Sequence, residues 1–303
     1  MGRAKHITIL SIIAFVIMSC NNFEGEQEIP AYIKIEGFDL VENPNLSIPQ
    51  DEGFLTSEIK DVWVYVDNAF IGAFPLPCSV PVLQEGRHKV DIRPGVLYNG
   101  MQGTREAYPF YTTIIDTLDL VPGKEVNFTK KEVMYNDKKC QFPNLYELFE
   151  SPYTGFALAD VTEGEAEKMK IISNDSVRYG NACGAIYFSS EGKNKYISID
   201  SVYCTNHNGT VLELDYHSNI PFEVGIYGKN PSSSSYKYIS AMRVTPNAGK
   251  GWQKMYILLN KVWSNLSYPN HYRFYFEALN PDSKTNTFIH LDNIKIVHYP
   301  NQY

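Results

Sequence analysis

The chain of 303 residues has no excess of basic charge. Its 27 lysines and arginines are outnumbered by 34 aspartates and glutamates, so its formal net charge at pH 7 is −7. This balance argues against a nucleic-acid partner, because binding to a phosphate backbone depends on clustered Lys and Arg side chains. The sequence also lacks a Gly-x-Ser-x-Gly segment, the nucleophile turn of one large class of hydrolases. It has no Cys-x-x-Cys pair, which zinc sites and thiol–disulfide enzymes commonly use.

Long amphipathic helical patterns are missing as well, and short strand patterns recur in their place. The chain contains 22 Tyr and 16 Phe, residues that favour strands, and only 20% of its residues are charged. Leu212, Leu214 and Tyr216 alternate with Glu213 and Asp215, as in a strand with one buried face. Many such segments, separated by turn-forming residues, predict an all-β protein. The length allows two domains, and the regular succession of strands and turns predicts that each is a β-sandwich.

The amino-terminal residues have the order of a bacterial export signal. Two basic residues precede an apolar run from Ile7 to Met18, which is shorter than the ~20 residues of a membrane span. Ile17-Met18-Ser19-Cys20 resembles a lipobox, in which the cysteine becomes the lipidated first residue of the mature chain. The resemblance implies a lipoprotein signal peptide over residues 1–19 and a lipid on Cys20. An ordinary signal peptide with a chance cysteine is the alternative.

The acidic stretch that follows Cys20 resembles the export signal of surface lipoproteins of the Bacteroidota. It implies a lipid-anchored protein of the outer membrane that is exposed at the cell surface. Residues 20–30 are then expected to be a tether.

The segment from Val62 to Gly95 combines an apolar strand with regularly placed Gly and Pro residues. This pattern resembles a PEGA-type module, a small extracytoplasmic β-sandwich. The longer pattern through Tyr108-Pro109-Phe110-Tyr111 is similar to a family of outer-membrane surface lipoproteins of the Bacteroidota. The resemblance implies a PEGA-like or immunoglobulin-like sandwich over residues 31–135. At its end, segments 114–120 and 125–129, joined by Pro122-Gly123, predict a closing hairpin.

The last strand changes phase within its apolar pattern. Ile289 and Leu291 share one face of the pleat, whereas Ile294 and Ile296 share the other. Both pairs can lie in one core only if the strand holds an extra residue, so the sequence predicts a β-bulge near Asp292-Asn293.

The segment from Phe288 to Ile296 resembles the closing strand of carbohydrate-binding-module jelly rolls, and Phe149-Glu150 resembles their opening strand. The resemblance implies a jelly-roll sandwich over residues 136–303. It also implies a structural calcium ion held by Glu150 and Asp292, since calcium prefers oxygen ligands. Two unrelated surface carboxylates are the alternative, and no other cofactor is expected.

Four aromatic residues are candidates for ligand binding, because exposed rings stack on sugar faces or anchor protein interfaces. Tyr236 and Tyr238 share one face of a strand, and Trp252 and Trp263 follow shortly after. Most aromatic residues of a sandwich belong to its core, which is the alternative for each of them.

Catalysis is not expected. A glycosidase needs two carboxylates that face each other in a cleft. The available residues are Asp160, Glu213, Asp215 and Glu223, and the last three are expected at outward, solvated positions of their strands.

Two kinds of covalent modification are suggested by the sequence. Besides Cys20, four cysteines remain in an exported chain, and they allow three disulfide pairings or free buried thiols; they are Cys78, Cys140, Cys183 and Cys204. Three Asp-Ser/Thr-apolar triplets resemble O-glycosylation sites of exported Bacteroidota proteins, which implies modification at Thr117, Ser176 and Ser201.

Together these features predict a non-catalytic, surface-anchored lipoprotein that binds a partner in the cell envelope, as an accessory subunit of an outer-membrane complex. The alternative is a glycan-binding lipoprotein that uses the C-terminal jelly roll.

Overall fold

The fold was obtained as a computed structural model of the chain. The structure describes residues 27–46, 55–143, 146–159, 163–164, 168–174, 176–188, 191–203, 209–230, 235–263, 271–280 and 286–300. None of the helices in these ranges is both long and apolar enough to cross a membrane.

Strands of two to 12 residues make up the N-terminal part of the chain, in keeping with its closely spaced turn residues. The strands described there are β1 (Ala31–Ile35), β2 (Asp39–Leu40), β3 (Asp61–Val66), β4 (Ala69–Pro75), β5 (Cys78–Val82), β6 (Gly86–Leu97), β7 (Arg105–Ala107), β8 (Ile114–Leu120), β9 (Glu125–Asn127) and β10 (Glu132–Val133).

These strands form the N-terminal sandwich. One sheet has the order β5-β1-β9, and the facing sheet has the order β4-β3-β6-β7 with β8 also paired to β6. Ile33 of the first sheet packs in one core with Val64 and Ile92 of the second. Alternate residues of each strand therefore point into the same apolar layer.

The C-terminal part also consists of strands, which are two to 11 residues long. Those described are β11 (Tyr146–Glu147), β12 (Phe156–Leu158), β13 (Glu163–Gly164), β14 (Lys170–Ile172), β15 (Cys183–Phe188), β16 (Gly192–Ser198), β17 (Val202–Tyr203), β18 (Val211–Ser218), β19 (Phe222–Lys229), β20 (Tyr236–Val244), β21 (Gln253–Leu258), β22 (His271–Asn280) and β23 (Thr287–Val297). A single turn of α-helix, α1 (Asn260–Trp263), follows β21.

These strands form a second sandwich. Its six-stranded sheet has the order β14-β15-β23-β18-β21 with β11 on β23, and its seven-stranded sheet has the order β12-β16-β22-β19-β20 with β13 and β17 at its sides. Leu214 and Leu291 of the first sheet share a core with Val224 and Phe274 of the second. The predicted all-β class with two sandwiches is thereby confirmed.

The predicted bulge in the last strand is present. Glu213 of β18 pairs with Lys295 of β23. Asp215 lies two residues after Glu213, but its partner Asp292 lies three residues before Lys295, so β23 holds one extra residue. The extra residue allows φ of Asn293 to reach 47°, and side chains on both sides of it reach the core. The phase change in the sequence thus corresponds to a real irregularity of the ladder.

The predicted hairpin at the end of the N-terminal sandwich is wrong. β8 pairs with β6 in the five-stranded sheet, whereas β9 pairs in parallel with β1 in the facing sheet. The turn around Gly123, whose φ is 74°, therefore carries the chain from one sheet to the other.

The prediction of a solvated outer face is wrong for Glu213 and Asp215. Both project from the six-stranded sheet on the side away from its core, as the alternation requires, yet both are 0% exposed. Asp215 accepts a hydrogen bond from Asn293 Nδ2 at 2.8 Å, and its other oxygen lies 3.6 Å from the Arg178 guanidinium.

Glu213 is buried because the N-terminal sandwich packs over this end of the sheet. The hydroxyls of Tyr108 and Tyr135 donate to its two carboxylate oxygens at 2.6 and 2.8 Å. The Lys254 and Lys295 ammonium groups lie 3.1 and 3.8 Å from Oε2. Burial opposes the charge of Glu213, but the two lysines and two hydroxyls outweigh it and hold its pKa below the usual value.

Removing the Glu213 carboxylate is expected to destabilise the whole chain. Glu213→Ala leaves two buried ammonium groups and two hydroxyls without their acceptor, which costs about 3–5 kcal/mol in the free energy of unfolding. Urea denaturation measures this loss. Glu132→Ala, at an exposed position of β10, is the control and is expected to change stability by less than about 0.5 kcal/mol. Equal midpoints for the two variants would contradict the assignment.

Candidate functional site

A row of tyrosines lies on the outer face of the seven-stranded sheet, where side chains alternate with those of the core. We call the surface formed by Tyr227, Tyr236, Tyr238 and Tyr275 the tyrosine face. Tyr227 of β19 pairs directly with Tyr238 of β20, and Gly225 of β19 pairs with Tyr275 of β22. The face therefore spans three neighbouring strands.

The rings of the tyrosine face contact one another. Tyr227 lies 5.4 Å from Tyr236 and 4.5 Å from Tyr238 between ring centroids, and the first pair is stacked. Tyr275 meets Tyr238 edge to face at 5.1 Å. Tyr236 is 56% exposed, whereas Tyr275 is 1% exposed. The result is an aromatic surface with an accessible outer ring and a fixed base.

Charged groups anchor the base of this surface. The Lys195 ammonium lies 3.8 Å from the centroid of the Tyr238 ring and 2.8 Å from Glu277, and Lys193 lies 2.9 Å from Glu277. Burial raises the pKa of Glu277, but the two lysines outweigh that effect and leave it below the usual value. The Tyr275 hydroxyl donates to Glu223 at 2.6 Å. These contacts hold the rings of Tyr238 and Tyr275 in place.

Gly225 makes room for Tyr275. A Cβ atom at this position would collide with the Tyr275 ring and with the Ile239 carbonyl oxygen. The absence of a side chain therefore lets the ring lie across β19 and reach Glu223.

The structure brings together two of the four predicted binding aromatics. Tyr236 and Tyr238 lie on the tyrosine face, but Trp252 lies beside the six-stranded sheet, where its Nε1 donates to the Ser176 carbonyl at 2.8 Å. Its ring neighbours there are the two imidazoles of His217 and His290. Trp263 lies in α1, and its side chain is outside the described residues.

Tyr227 and Tyr275 were not among the predicted residues. The alternation of Phe222, Val224 and Ile226 already indicated that Tyr227 faces outward. Tyr275 carried a similar signal between Phe274 and Phe276. The sequence did not show that Tyr275 belongs to this face, because its position beneath Tyr238 depends on the pairing of β22 with β19.

The two predicted calcium ligands have different surroundings. Glu150 accepts hydrogen bonds from the backbone N–H groups of Asn181 and Ala182, at 2.7 and 3.3 Å, and from Asn181 Nδ2 at 3.0 Å. Asp292 is 2% exposed; its Oδ1 accepts the N–H of Asn293 at 2.8 Å, and its Oδ2 is buried without a partner in the described part of the chain.

An unsatisfied buried carboxylate oxygen is a feature that a cation would satisfy. Within the described ranges, however, no cluster of three or more His, Cys, Asp or Glu side chains is arranged to hold a metal. Backbone carbonyls would have to supply most of the six to eight oxygens that calcium takes. The calcium site stays a prediction that rests on Asp292.

The remaining predicted positions include cysteines and candidate O-glycosylation sites. Residues 1–19, Cys20 and Cys204 lie outside them, and Cys78, Cys140 and Cys183 are free thiols. Burial raises the thiol pKa values of these three to about 11, 12 and 12, respectively. Thr117 and Ser201 are exposed and Ser176 is half-buried, so O-glycosylation at the three stays a prediction.

Stability is expected to depend on pH through Asp292. Burial, aided by the charges of Asp215 and Glu150, raises its pKa from 3.8 to about 8. The stability contributed by the neutral carboxyl is fully present below about pH 3.8 and is lost as the pH rises to about 8. In chelator, Asp292→Asn should therefore remove most of the fall in the urea midpoint between about pH 5 and about pH 8.

Calcium should raise the melting temperature of the wild-type protein at the upper pH and leave that of Asp292→Asn unchanged, because the ion binds the charged carboxylate. Wild-type melting curves that coincide with and without calcium would reduce Asp292 to a bulge residue without a metal.

Comparison with known proteins gave structural resemblances only. No protein-family model and no curated protein sequence matches the chain. A carbohydrate-binding module from the β-sandwich superfamily, solved in a study of promiscuous specificity, is 15% identical with a TM-score of 0.37, over 89% of this chain and 99% of that one. A family 30 module of a Clostridium thermocellum cellulosomal cellulase is 14% identical with a TM-score of 0.37, over 52% and 99%.

A family 11 carbohydrate-binding module from the same organism, in complex with a β-1,3-1,4-mixed-linked tetrasaccharide, is 14% identical with a TM-score of 0.34, over 54% of this chain and 99% of that one. Scores this low transfer neither a fold nor a binding site, so the fold and the tyrosine face described above rest on the geometry of this chain itself.

Proposed function

We propose that this protein is a non-catalytic glycan-binding protein and that the tyrosine face is its binding surface. The observation that carries the proposal is the contiguous row of Tyr227, Tyr236 and Tyr238 on the outer face of the seven-stranded sheet, in which Tyr227 stacks on Tyr236 and lies tilted against Tyr238. Accessible rings offer a flat apolar surface to the C–H face of a pyranose, and each phenol keeps a hydroxyl for hydrogen bonding.

Polar groups next to the rings suit the hydroxyls of a sugar. Lys195, Glu277 and Glu223 lie at the base of the same face, and their hydrogen bonds hold them in place before any ligand arrives. A binding site with a few oriented polar groups beside an apolar surface gains both affinity and orientation. The same carboxylates are each paired with a lysine or a tyrosine, which favours a positioning role over acid–base chemistry.

A protein partner of the cell envelope is the second candidate, since exposed tyrosines also anchor protein interfaces. The glycan proposal is preferred because the face combines aromatic rings, which stack on a sugar, with fixed polar groups, which bind its hydroxyls. These two features together are sufficient to bind a sugar. A pull-down from detergent-solubilised outer membrane, in parallel with a glycan array, separates the two.

The surface location is part of the proposal and rests on the sequence from Ile7 to Cys20. A soluble body held by a lipid on Cys20 would present the C-terminal sandwich to glycans outside the cell.

Tyr236→Ala is expected to weaken glycan binding roughly tenfold, because it removes the most accessible ring of the face. A glycan array first identifies the best-bound sugar, and calorimetry then measures its affinity. Tyr153→Ala removes a ring that is 83% exposed but lies outside the tyrosine face, and it serves as the control. Unchanged affinity in Tyr236→Ala would refute the proposed surface.

Replacement of Cys20 by Ala is expected to release the protein from the membrane fraction, because the mature chain would lose its only predicted anchor. Cell fractionation with immunodetection measures the distribution. Ser19→Ala keeps a small residue before the cysteine and should remain membrane-bound. Membrane association of Cys20→Ala at the wild-type level would refute the lipoprotein proposal.

A further inference from the structure

A second irregularity lies in β20, the edge strand that carries Tyr236 and Tyr238. Gly225 of β19 pairs with Ser240, but the preceding residue, Val224, pairs with Met242. Ala241 is therefore an extra residue in β20. Ala241 and Met242 both pack toward the core. The bulge therefore reverses the phase of the strand beyond this point.

The phase reversal directs Arg243 outward. In a regular strand the residues on the side of Tyr238 would be Ser240 and Met242, and Arg243 would point inward. With the bulge, Arg243 pairs with the outward Glu223 and is exposed. It lies on the same side of the sheet as Tyr238, about 13 Å away at ~3.3 Å per residue.

Arg243 also lines a cavity of about 710 Å³ at the side of the C-terminal sandwich. One wall consists of the ends of β20 and β21, and the other is the loop around Asn99 and Met101 of the N-terminal sandwich. A neighbouring cavity of about 520 Å³ shares Asn99, Met101 and Ala241 with it and reaches Ser240. The two cavities thus follow the edge of β20 toward the tyrosine face.

The larger cavity is cationic in a protein that is acidic overall. Four lysines and arginines line it against a single carboxylate, Glu58. Lys60 is paired with Glu58, and Lys254 is paired with the buried Glu213. That leaves Arg243 and Lys250, both exposed, with no ion pair to any described residue. Their charge is therefore available to a ligand.

We infer that the glycan bound by the tyrosine face is anionic, and that one of its carboxylate or sulfate groups enters this cavity and binds Arg243 with the help of Lys250. The inference rests on the proposed function and specifies its substrate class. A guanidinium forms paired hydrogen bonds with a carboxylate or sulfate, and an ammonium adds a second positive charge. Asn99, Thr245 and Gln253 line the same cavity and can bind neighbouring hydroxyls.

The test compares anionic polymers with uncharged polymers of the same sugar backbone. Calorimetry at about 0.15 M salt measures binding of polygalacturonate against its methyl ester, and of dextran sulfate against dextran. The wild-type protein is expected to prefer at least one anionic polymer over its neutral match by roughly tenfold. The pair that shows the preference identifies the group as a carboxylate or a sulfate.

Two variants locate the effect. Arg243→Gln and Lys250→Gln are each expected to lose most of the preference and to keep wild-type affinity for any neutral polymer that binds, which also shows that they are folded. Arg87→Gln removes an exposed charge from the distant strand β6 and is expected to keep the preference.

The outcomes separate this inference from the function on which it rests. A wild-type protein that binds neutral and anionic polymers equally, or variants that keep the full preference, would overturn the inference and leave glycan binding intact. Binding of the anionic polymers that Tyr236→Ala does not weaken would instead count against the tyrosine face.

Discussion

The packing of the two sandwiches against each other depends on the hydrogen bonds and ion pairs of one buried carboxylate, that of Glu213. It belongs to the C-terminal sandwich, and its two hydroxyl donors, Tyr108 and Tyr135, come from the N-terminal side. A buried charge is strongly destabilising unless its hydrogen-bond and ion-pair partners surround it. The contact therefore favours the one arrangement of the two sandwiches that brings these partners to Glu213. The surrounding aromatic residues, among them Phe110 and Tyr256, exclude water from it.

The position of the cavity follows from this junction. The backbone N–H of Asn99 donates to the Tyr256 carbonyl at 2.8 Å, and the N–H of Leu258 donates to the Asn99 side chain at 3.2 Å. The N-terminal loop is thereby attached to the edge of β21. One wall of the cationic cavity therefore comes from each sandwich, and neither alone would form it.

Two bulges in the C-terminal sandwich have the same effect, since each changes which residues of its strand point toward the core. In β23 the extra residue at Asn293 keeps apolar residues of both phases in the core, and one oxygen of Asp292 has no hydrogen-bond partner among the described residues. In β20 the extra residue at Ala241 turns Arg243 to the side that carries Tyr238. A regular strand presents alternate residues to one face, whereas a bulged strand can change which residues it presents along its length.

The sequence alone was sufficient for the properties that depend on local alternation. It determined the all-β class, the bulge near Asn293 and the common face of Tyr236 and Tyr238, because each of these follows from the two-residue period of a strand. The tertiary structure decided what covers each face. The alternation correctly predicted that Glu213 points away from the core of the C-terminal sandwich. It could not predict that the N-terminal sandwich packs on that outer face and buries it.

Strand partners were likewise decided by the tertiary structure. Pro122-Gly123 marked a turn between β8 and β9, yet the residues of a turn do not specify which sheet the next strand joins. The positions of Tyr275 beneath Tyr238 and of Arg243 beside the cavity also depend on register between strands distant in sequence. Such contacts are selected by packing over the whole domain, and no local pattern encodes them.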